Sequence, residues 1–362
     1  MVLNSLKHPS NWRVADLERD QRWIFRIDAG TRQEMIDAVL KAEDPNKSLL
    51  DYRRADFALS KTLVTLGAAL EEVKRGLGVA LIKGLPRQEL TAKQFEILTW
   101  SLGLYSGVPR PQGKDTHYIS AVKDAGMTYR TGTGRGYSSS AELDFHTDSS
   151  DVVFLSCFNQ AVSGGKTIVS SSMAGHDAMA REYPEQLKWL YEPLAFSRQG
   201  EGAPDEGPYV MQPVFSQQQG KWFGRWNWNR VRSAQKIEGA PQLCAEQYAA
   251  LEQFDQIVRR PDIAFEMWLE AGDVQIVNSH VTLHSRTEFQ DHEDPALKRL
   301  LYRLWIAPPD SDVLPECWRD LYRACEAGSV RGGIRGFSYD ERCAQFEARQ
   351  AQDCAMRDAA AH

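Results

Sequence analysis

Several signatures are missing from this 362-residue chain, and each absence removes a class of function. No apolar run approaches the ~20 residues that span a bilayer. The opening MVLNSLKHPSNWR lacks the apolar centre of a secretory signal. A membrane partner is therefore not expected. There is no run of Lys or Arg, and 43 basic residues against 49 acidic ones leave a formal net charge of −6. Such a chain has no electrostatic footprint for nucleic acid. Its six cysteines form no C-x-x-C pair. Cys317, Cys325, Cys343 and Cys354 gather after residue 310, but at no zinc-binding spacing. Reduced thiols and a cytoplasmic protein are the expectation. No G-x-G-x-x-G follows a strand and no Walker A sequence occurs, so nucleotide folds gain no support. Repeats and low-complexity tracts are also absent. What remains is 42% hydrophobic and 25% charged, ordinary for a soluble globular protein. Homo-oligomerisation is left open.

The pattern along the chain predicts one domain over residues 1–362. Its β core spans about 75–310, with helical extensions at both ends. Thr31 and Glu34 form a capping box ahead of Met35, Ile36, Val39 and Leu40. Leu59, Leu63, Leu66, Leu70 and Val73 place one buried face on a helix over about 56–74. Val79 to Lys83 reads as a buried strand, and Thr91 with Gln94 caps a further helix. Short strand-like runs then recur at 152–158, 167–170, 210–215, 222–226, 263–269, 274–277 and 300–306. Helical inserts fall near 173–192 and 242–259. Closely spaced short strands indicate a sandwich or barrel. After Pro308 the chain reads as polar and helical.

Three segments carry chemistry. The first is Phe145-His146-Thr147-Asp148. Residues two apart on an extended segment point the same way, so His146 and Asp148 could grip one ion. A solvated turn with an Asp cap would explain these residues equally well. The second is the Gly272-Asp273 turn, an apolar strand, and then Leu283-His284-Ser285-Arg286-Thr287-Glu288-Phe289. A His, Asp, His set is the facial triad of non-haem Fe(II) oxygenases, and it leaves three octahedral positions open. A 2-oxo acid fills two and O2 the third. His280, four residues before His284, is the competing ligand. The third segment is Lys298 to Trp305, where Arg299 and Arg303 share one face of a strand. A buried Arg calls for an anion, either a structural carboxylate or the far carboxylate of 2-oxoglutarate.

In order and spacing, these segments resemble the taurine dioxygenase/TfdA-like branch of Fe(II)/2-oxoglutarate oxygenases. The motifs are His146-Thr147-Asp148, Gly164-Gly165-Lys166-Thr167, Gly272-Asp273, His284 through Phe289, and Arg299 with Arg303. The resemblance covers about 75–310. It implies an α+β fold with a double-stranded β-helix, or jelly-roll, core. It also implies Fe(II) held by His146, Asp148 and His284, with His284 preferred over His280 because the S-R-T-E-F tail belongs to it. Thr167 and Arg299 would bind the 2-oxoglutarate cosubstrate. Asn278-Ser279 departs from the Asn-Asn often found in the family, and the stretch between His284 and Arg299 is longer than in the founding enzyme.

By the same resemblance, substrate oxidation is coupled to release of succinate and CO2. A carboxylate at Asp148 favours hydroxylation, desaturation or ring formation over halogenation. Arg303 would meet an anionic group of the substrate. Glu142, four before His146, would meet an amine, unless it is a solvated loop residue. Together they predict a small acid, amino-acid-like in character. A cupin-type dioxygenase without 2-oxoglutarate and a non-catalytic acid-binding relative are the alternatives. Among other residues, His8, His176, His292 and His362 read as exposed. His117 is either core or substrate-facing. Trp226 and Trp228 of Arg225-Trp-Asn-Trp-Asn-Arg230 either line a pocket or fill the core.

Overall fold

The computed structural model describes residues 8–126 and 138–356. Its organising element is the strand Val152–Asn159, which alternates two apolar faces. Phe154 and Phe158 face one hydrophobic cluster, while Val153 and Cys157 face another. A strand apolar on both faces belongs in the middle of a layered structure. It pairs antiparallel with Val274–Asn278 on one side and Leu300–Ala307 on the other. Val79–Lys83 and Ile24–Arg26 extend the sheet beyond Val274–Asn278. Val108–Arg110 and Ile119–Val122 both pair with Leu300–Ala307, giving seven strands.

A second sheet has four antiparallel strands, in the order Ala264–Met267, Thr167–Ser171, Thr282–Arg286, Leu143–His146. The cluster between the sheets draws Val79, Val153, Cys157 and Trp305 from the large one and Val169 and Met267 from the small one. This is the jelly-roll core, in an α+β setting. Helices cover the outer faces. Ala29–Ala42, Ser60–Arg75 and Ala92–Ser106 pack on the large sheet through Val39, Leu66, Leu98, Ile82 and Leu304. Ser172–Glu182 and Ala245–Val258 pack on the small one through Met173, Phe254, Phe145 and Leu283. Among the described residues no helix is long and apolar enough to cross a membrane.

Several sequence expectations are corrected. The helix expected to start at a Thr31–Glu34 box starts earlier, capped by Asp28, whose carboxylate accepts from the Thr31 amide at 2.8 Å. Glu34 instead caps the next helix across space. It accepts from the Ser60 hydroxyl, the Lys61 and Thr62 amides and the Thr62 hydroxyl, at 2.8–2.9 Å. That helix therefore starts at Ser60, later than expected. The chain after Pro308 is less helical than its composition indicates. Between the short helix Arg319–Tyr322 and the helix Glu341–Asp353 it runs irregularly over the barrel. Trp318 and Tyr322 there are fully buried.

Losing the tertiary cap should cost stability without touching chemistry. Glu34→Ala should destabilise the fold by about 1–2 kcal/mol, read as a lowered thermal midpoint with turnover at low temperature unchanged.

Candidate active site

Cross-strand register builds the site. His146 closes the strand Leu143–His146 and lies directly opposite His284 on Thr282–Arg286. Opposed residues on neighbouring strands point to the same side, so both imidazoles face inward with ring centroids 4.3 Å apart. The chain then turns and returns Asp148 to them. Its carboxylate oxygens lie 3.9 Å from His146 Nε2 and 3.7 Å from His284 Nε2. One ligand atom from each of the three residues lies within 4.8 Å of the others.

The surroundings set each group's protonation. His146 Nδ1 sits 2.9 Å from the Asp144 carbonyl, which can only accept, so Nδ1 carries the proton and Nε2 offers its lone pair. Burial lowers the pKa of both histidines; His284, with His146 beside it, is pushed down to about 3. Burial alone would raise the pKa of Asp148. The Arg303 guanidinium, helped by the Trp305 N–H, outweighs it and holds the carboxyl well below its ordinary range. Trp305 Nε1 donates to Asp148 at 2.8 Å, and Arg303 Nη1 approaches at 3.4 Å. Two neutral imidazoles and one carboxylate form a donor set that suits Fe(II).

The triad opens into a cavity of about 130 Å³, also lined by Thr167, Arg299, Arg303 and Trp305. Along Leu300–Ala307 the even residues Leu304 and Ile306 pack against helices. Arg299, Leu301, Arg303 and Trp305 alternate with them and face the cavity. Arg299 is buried and stacks on Phe289, 5.0 Å from the ring centroid. It has no ion pair among the described residues, its Nη1 has no partner there, and burial lowers its pKa to about 10. Thr167 Oγ1 donates to the Gln275 side-chain oxygen at 2.8 Å, and the Gln275 amide nitrogen has no partner among the described residues. Gly165 makes room for this arrangement. It adopts φ +74°, and a Cβ there would stand 3.2 Å from Arg299 Nε.

The other candidates fall elsewhere. Glu142 is exposed, pairs with Arg259 at 3.3 Å and does not line the cavity. His280 points away from the triad, 2.8 Å from Asp151. His117 is exposed. His176, expected to be exposed, is buried against Tyr191, Phe215 and Trp222. His8 and His292 are half-buried, and His362 lies outside the described residues. Trp226 and Trp228 are core residues, and Arg225, Asn227 and Asn229, which alternate with them, line the cavity instead. Arg225 was not anticipated. It is fully buried and donates to the Thr147 carbonyl and hydroxyl, the Asp148 carbonyl and the Ser149 hydroxyl. The period-two alternation of Arg225-Trp-Asn-Trp-Asn was the signal that could have revealed it. Glu201 and Arg230, paired at 2.6 Å on the cavity wall, carried no comparable signal.

The sequence profile of the taurine catabolism dioxygenase TauD, TfdA family matches residues 46–305. The chain belongs to this family. It is an Fe(II)- and 2-oxoglutarate-dependent dioxygenase. FR-33289 synthase of Streptomyces rubellomurinus is 29% identical over 316 residues, covering 84% of this chain and 92% of that protein. Among solved structures, asparagine oxygenase with Fe(II), 2S,3S-3-hydroxyasparagine and succinate superposes with a TM-score of 0.62. It shares 16% identity, over 78% of this chain and 93% of that one. The non-haem iron oxygenase OrfP with Fe and alpha-ketoglutaric acid gives 0.58 at 16% identity, over 78% and 94%. A donor set of two nitrogens and one oxygen, in a cavity with a buried arginine that has no ion pair among the described residues, is compatible with that assignment.

The histidine shifts fix a pH dependence. A histidine kept neutral by burial takes up its proton in the unfolded chain first. Stability is therefore retained above about 6.5 and lost as pH falls towards the folded value. For His284 and His176 those folded values are about 3 and about 4. The metal-free protein should show a falling melting temperature between pH 7 and pH 5, and His176→Gln should flatten that slope.

Proposed function

We propose that this dioxygenase oxidises a small anionic, amino-acid-like metabolite, with His146, Asp148 and His284 as the Fe(II) ligands. In this reading Arg299 and Thr167 take the 2-oxoglutarate carboxylate, and Arg303 meets an anionic group of the substrate. Residues 1–362 then act as a single oxygenase domain. The observation that carries the proposal is the buried Arg299 Nη1 without a partner in the same cavity as the triad. A guanidinium so placed is strongly favoured by a bidentate carboxylate.

The bound iron and cosubstrate would supply the oxidising chemistry on O2. The protein's part is to orient and to exclude water. Asp144 sets the His146 tautomer, and Trp305 and Arg303 keep Asp148 ionised. The apolar side chains Val122, Leu155, Leu269 and Leu301 make the rest of the cavity wall dry. Support for an amino-acid-like substrate comes from that wall. Glu201 and Arg230 place a carboxylate and a cation together on the wall of the cavity that Arg303 also lines, which suits a zwitterion. Solved relatives carry hydroxyasparagine and, in OrfP, (3S)-hydroxy-L-Arg. Glu142, being exposed and tied to Arg259, is not part of this proposal.

Two measurements test it. Arg299→Ala should raise the 2-oxoglutarate KM on the order of 10- to 100-fold, the worth of one charge-assisted pair, with Fe(II) affinity little changed. An unchanged KM would remove Arg299 from the site. Arg303→Ala should impair substrate-coupled succinate formation more than substrate-free 2-oxoglutarate decarboxylation, and Arg303→Lys should restore part of the loss. Equal loss of both activities together with a lowered melting temperature would make Arg303 a partner of Asp148 and nothing more.

A further inference from the structure

We infer that Arg331 is a positioning residue for the iron site, acting through Asp151 and His280. It makes the irregular segment Arg331–Ile334 a working part of the active site. The inference rests on the triad being the iron ligands. It concerns a region beyond residue 305, where the family match ends.

The two ligand-bearing elements meet a second time, away from the metal position. Asp151 lies three residues after Asp148, and His280 lies four before His284. The Asp151 carboxylate and His280 Nε2 are 2.8 Å apart, and the Ser279 amide donates to the Asp151 carbonyl at 3.0 Å. An ionised Asp151 accepts, so His280 carries its proton on Nε2. The imidazole is wedged against Trp318, with ring centroids 5.7 Å apart, and near Phe223 and Tyr322. This contact ties the start of the His284 strand to the end of the His146–Asp148 turn.

Arg331 locks that tie. Its side chain is 1% exposed. Nε and Nη2 fork onto Asp151, with Nη2 at 2.6 Å and Nε at 3.0 Å and 3.1 Å from the two oxygens. Nη1 donates to the Asp312 carbonyl at 2.7 Å. With its positive charge beside it, Asp151 is held well below the ordinary carboxylate range, although burial alone would push it up. A lone buried Asp–His pair would carry an uncompensated charge; the arginine neutralises it and fixes its direction.

The next three residues press on the same turn. The Gly333 amide donates to the Ser149 carbonyl at 2.7 Å. Gly332 sits at φ +72°, and a Cβ there would stand 2.8 Å from the Ser149 carbonyl oxygen, so only glycine fits. Ile334 then reaches the wall of the catalytic cavity. The turn carrying Asp148 is thus gripped by Arg225 on one side and by Arg331–Gly333 on the other. Groups that orient metal ligands typically govern affinity or turnover by 10- to 100-fold.

Anaerobic Co(II) titration of the full-length protein, followed by visible absorption, reads ligand geometry without turnover. Arg331→Met should weaken Co(II) binding about 10- to 100-fold and change the Co(II) spectrum. Arg331→Lys should recover part of the affinity. Under turnover, kcat should fall while the 2-oxoglutarate KM stays unchanged, since Arg299 and Thr167 lie on other strands. Arg319→Met, on an exposed side chain of the same region, should leave Co(II) binding as it is. If Arg331→Met is insoluble, Asp151→Asn reports on the same tie and should show the same weakening, with Arg331→Lys showing a smaller one. Wild-type affinity and spectrum in the soluble Arg331 or Asp151 variants would overturn the inference, whatever their melting temperatures. His284→Ala separates the two readings. If it too binds Co(II) like the wild type, the ligand assignment itself fails. If it loses Co(II) while Arg331→Met does not, only the role of Arg331 fails.

Discussion

A carboxylate buried between two neutral imidazoles is the constraint on which the rest of this structure depends. Asp148 is removed from water, which by itself favours its protonated form. A protonated acid would be a poor metal ligand. The fold answers with the charge of Arg303 and the N–H of Trp305, both delivered by one strand. His146 and His284 stay neutral for the same reason that Asp148 is under pressure, namely burial. One environment thus holds three side chains in the form that a divalent cation would require.

Delivering those groups requires both sheets. The small sheet supplies the histidines through their direct cross-strand pairing. The large sheet supplies the arginines and the tryptophan through alternation along Leu300–Ala307. Neither sheet has a site by itself. The strand Val152–Asn159 joins them in register, because its odd residues pack into the space between the sheets and its even residues pack under the helices. A slip of one residue in Leu300–Ala307 would turn Arg299 and Arg303 towards the helices and Leu304 towards the metal position.

Buried arginines recur around the centre, and their partners assign them different work. Arg331 has a carboxylate and three carbonyls, a saturated arrangement that holds position. Arg225 has carbonyl and hydroxyl acceptors along the His146–Ser149 turn, which again fixes backbone. Arg299 has an aromatic face and an unpartnered Nη1. Arg225 also leaves its Nε without a partner among the described residues, so what sets Arg299 apart is that its side chain meets no oxygen acceptor there, and this is the physical argument for reserving it for a ligand. A fully bonded guanidinium gains little from an added anion, whereas a desolvated, incompletely bonded one gains much.

The sequence alone determined the family of this protein and the candidate residues of its site. His146, Asp148 and His284, Gly164-Gly165 and the Arg299–Arg303 pair follow local rules: two-residue and four-residue alternation, tight glycine turns, and residue types able to bind a cation or an anion. Runs of mostly apolar residues likewise marked strands at 152–158 and 300–306, because a strand buried on both faces has few polar positions. Tertiary structure decided what depends on distant partners. Whether Glu34 caps its own helix or the next was a matter of packing. His280 and His284 are the same residue type four positions apart on one segment. Only the approach of Asp151 and Arg331 from elsewhere in the chain drew His280 into a structural tie and left His284 facing His146. Glu142 and Glu201 were separated in the same way, one paired with Arg259 at the surface and the other buried on the cavity wall. Hydrogen bonds and ion pairs between residues far apart in the chain leave no periodic trace in sequence, because their geometry exists only after the sheets have closed.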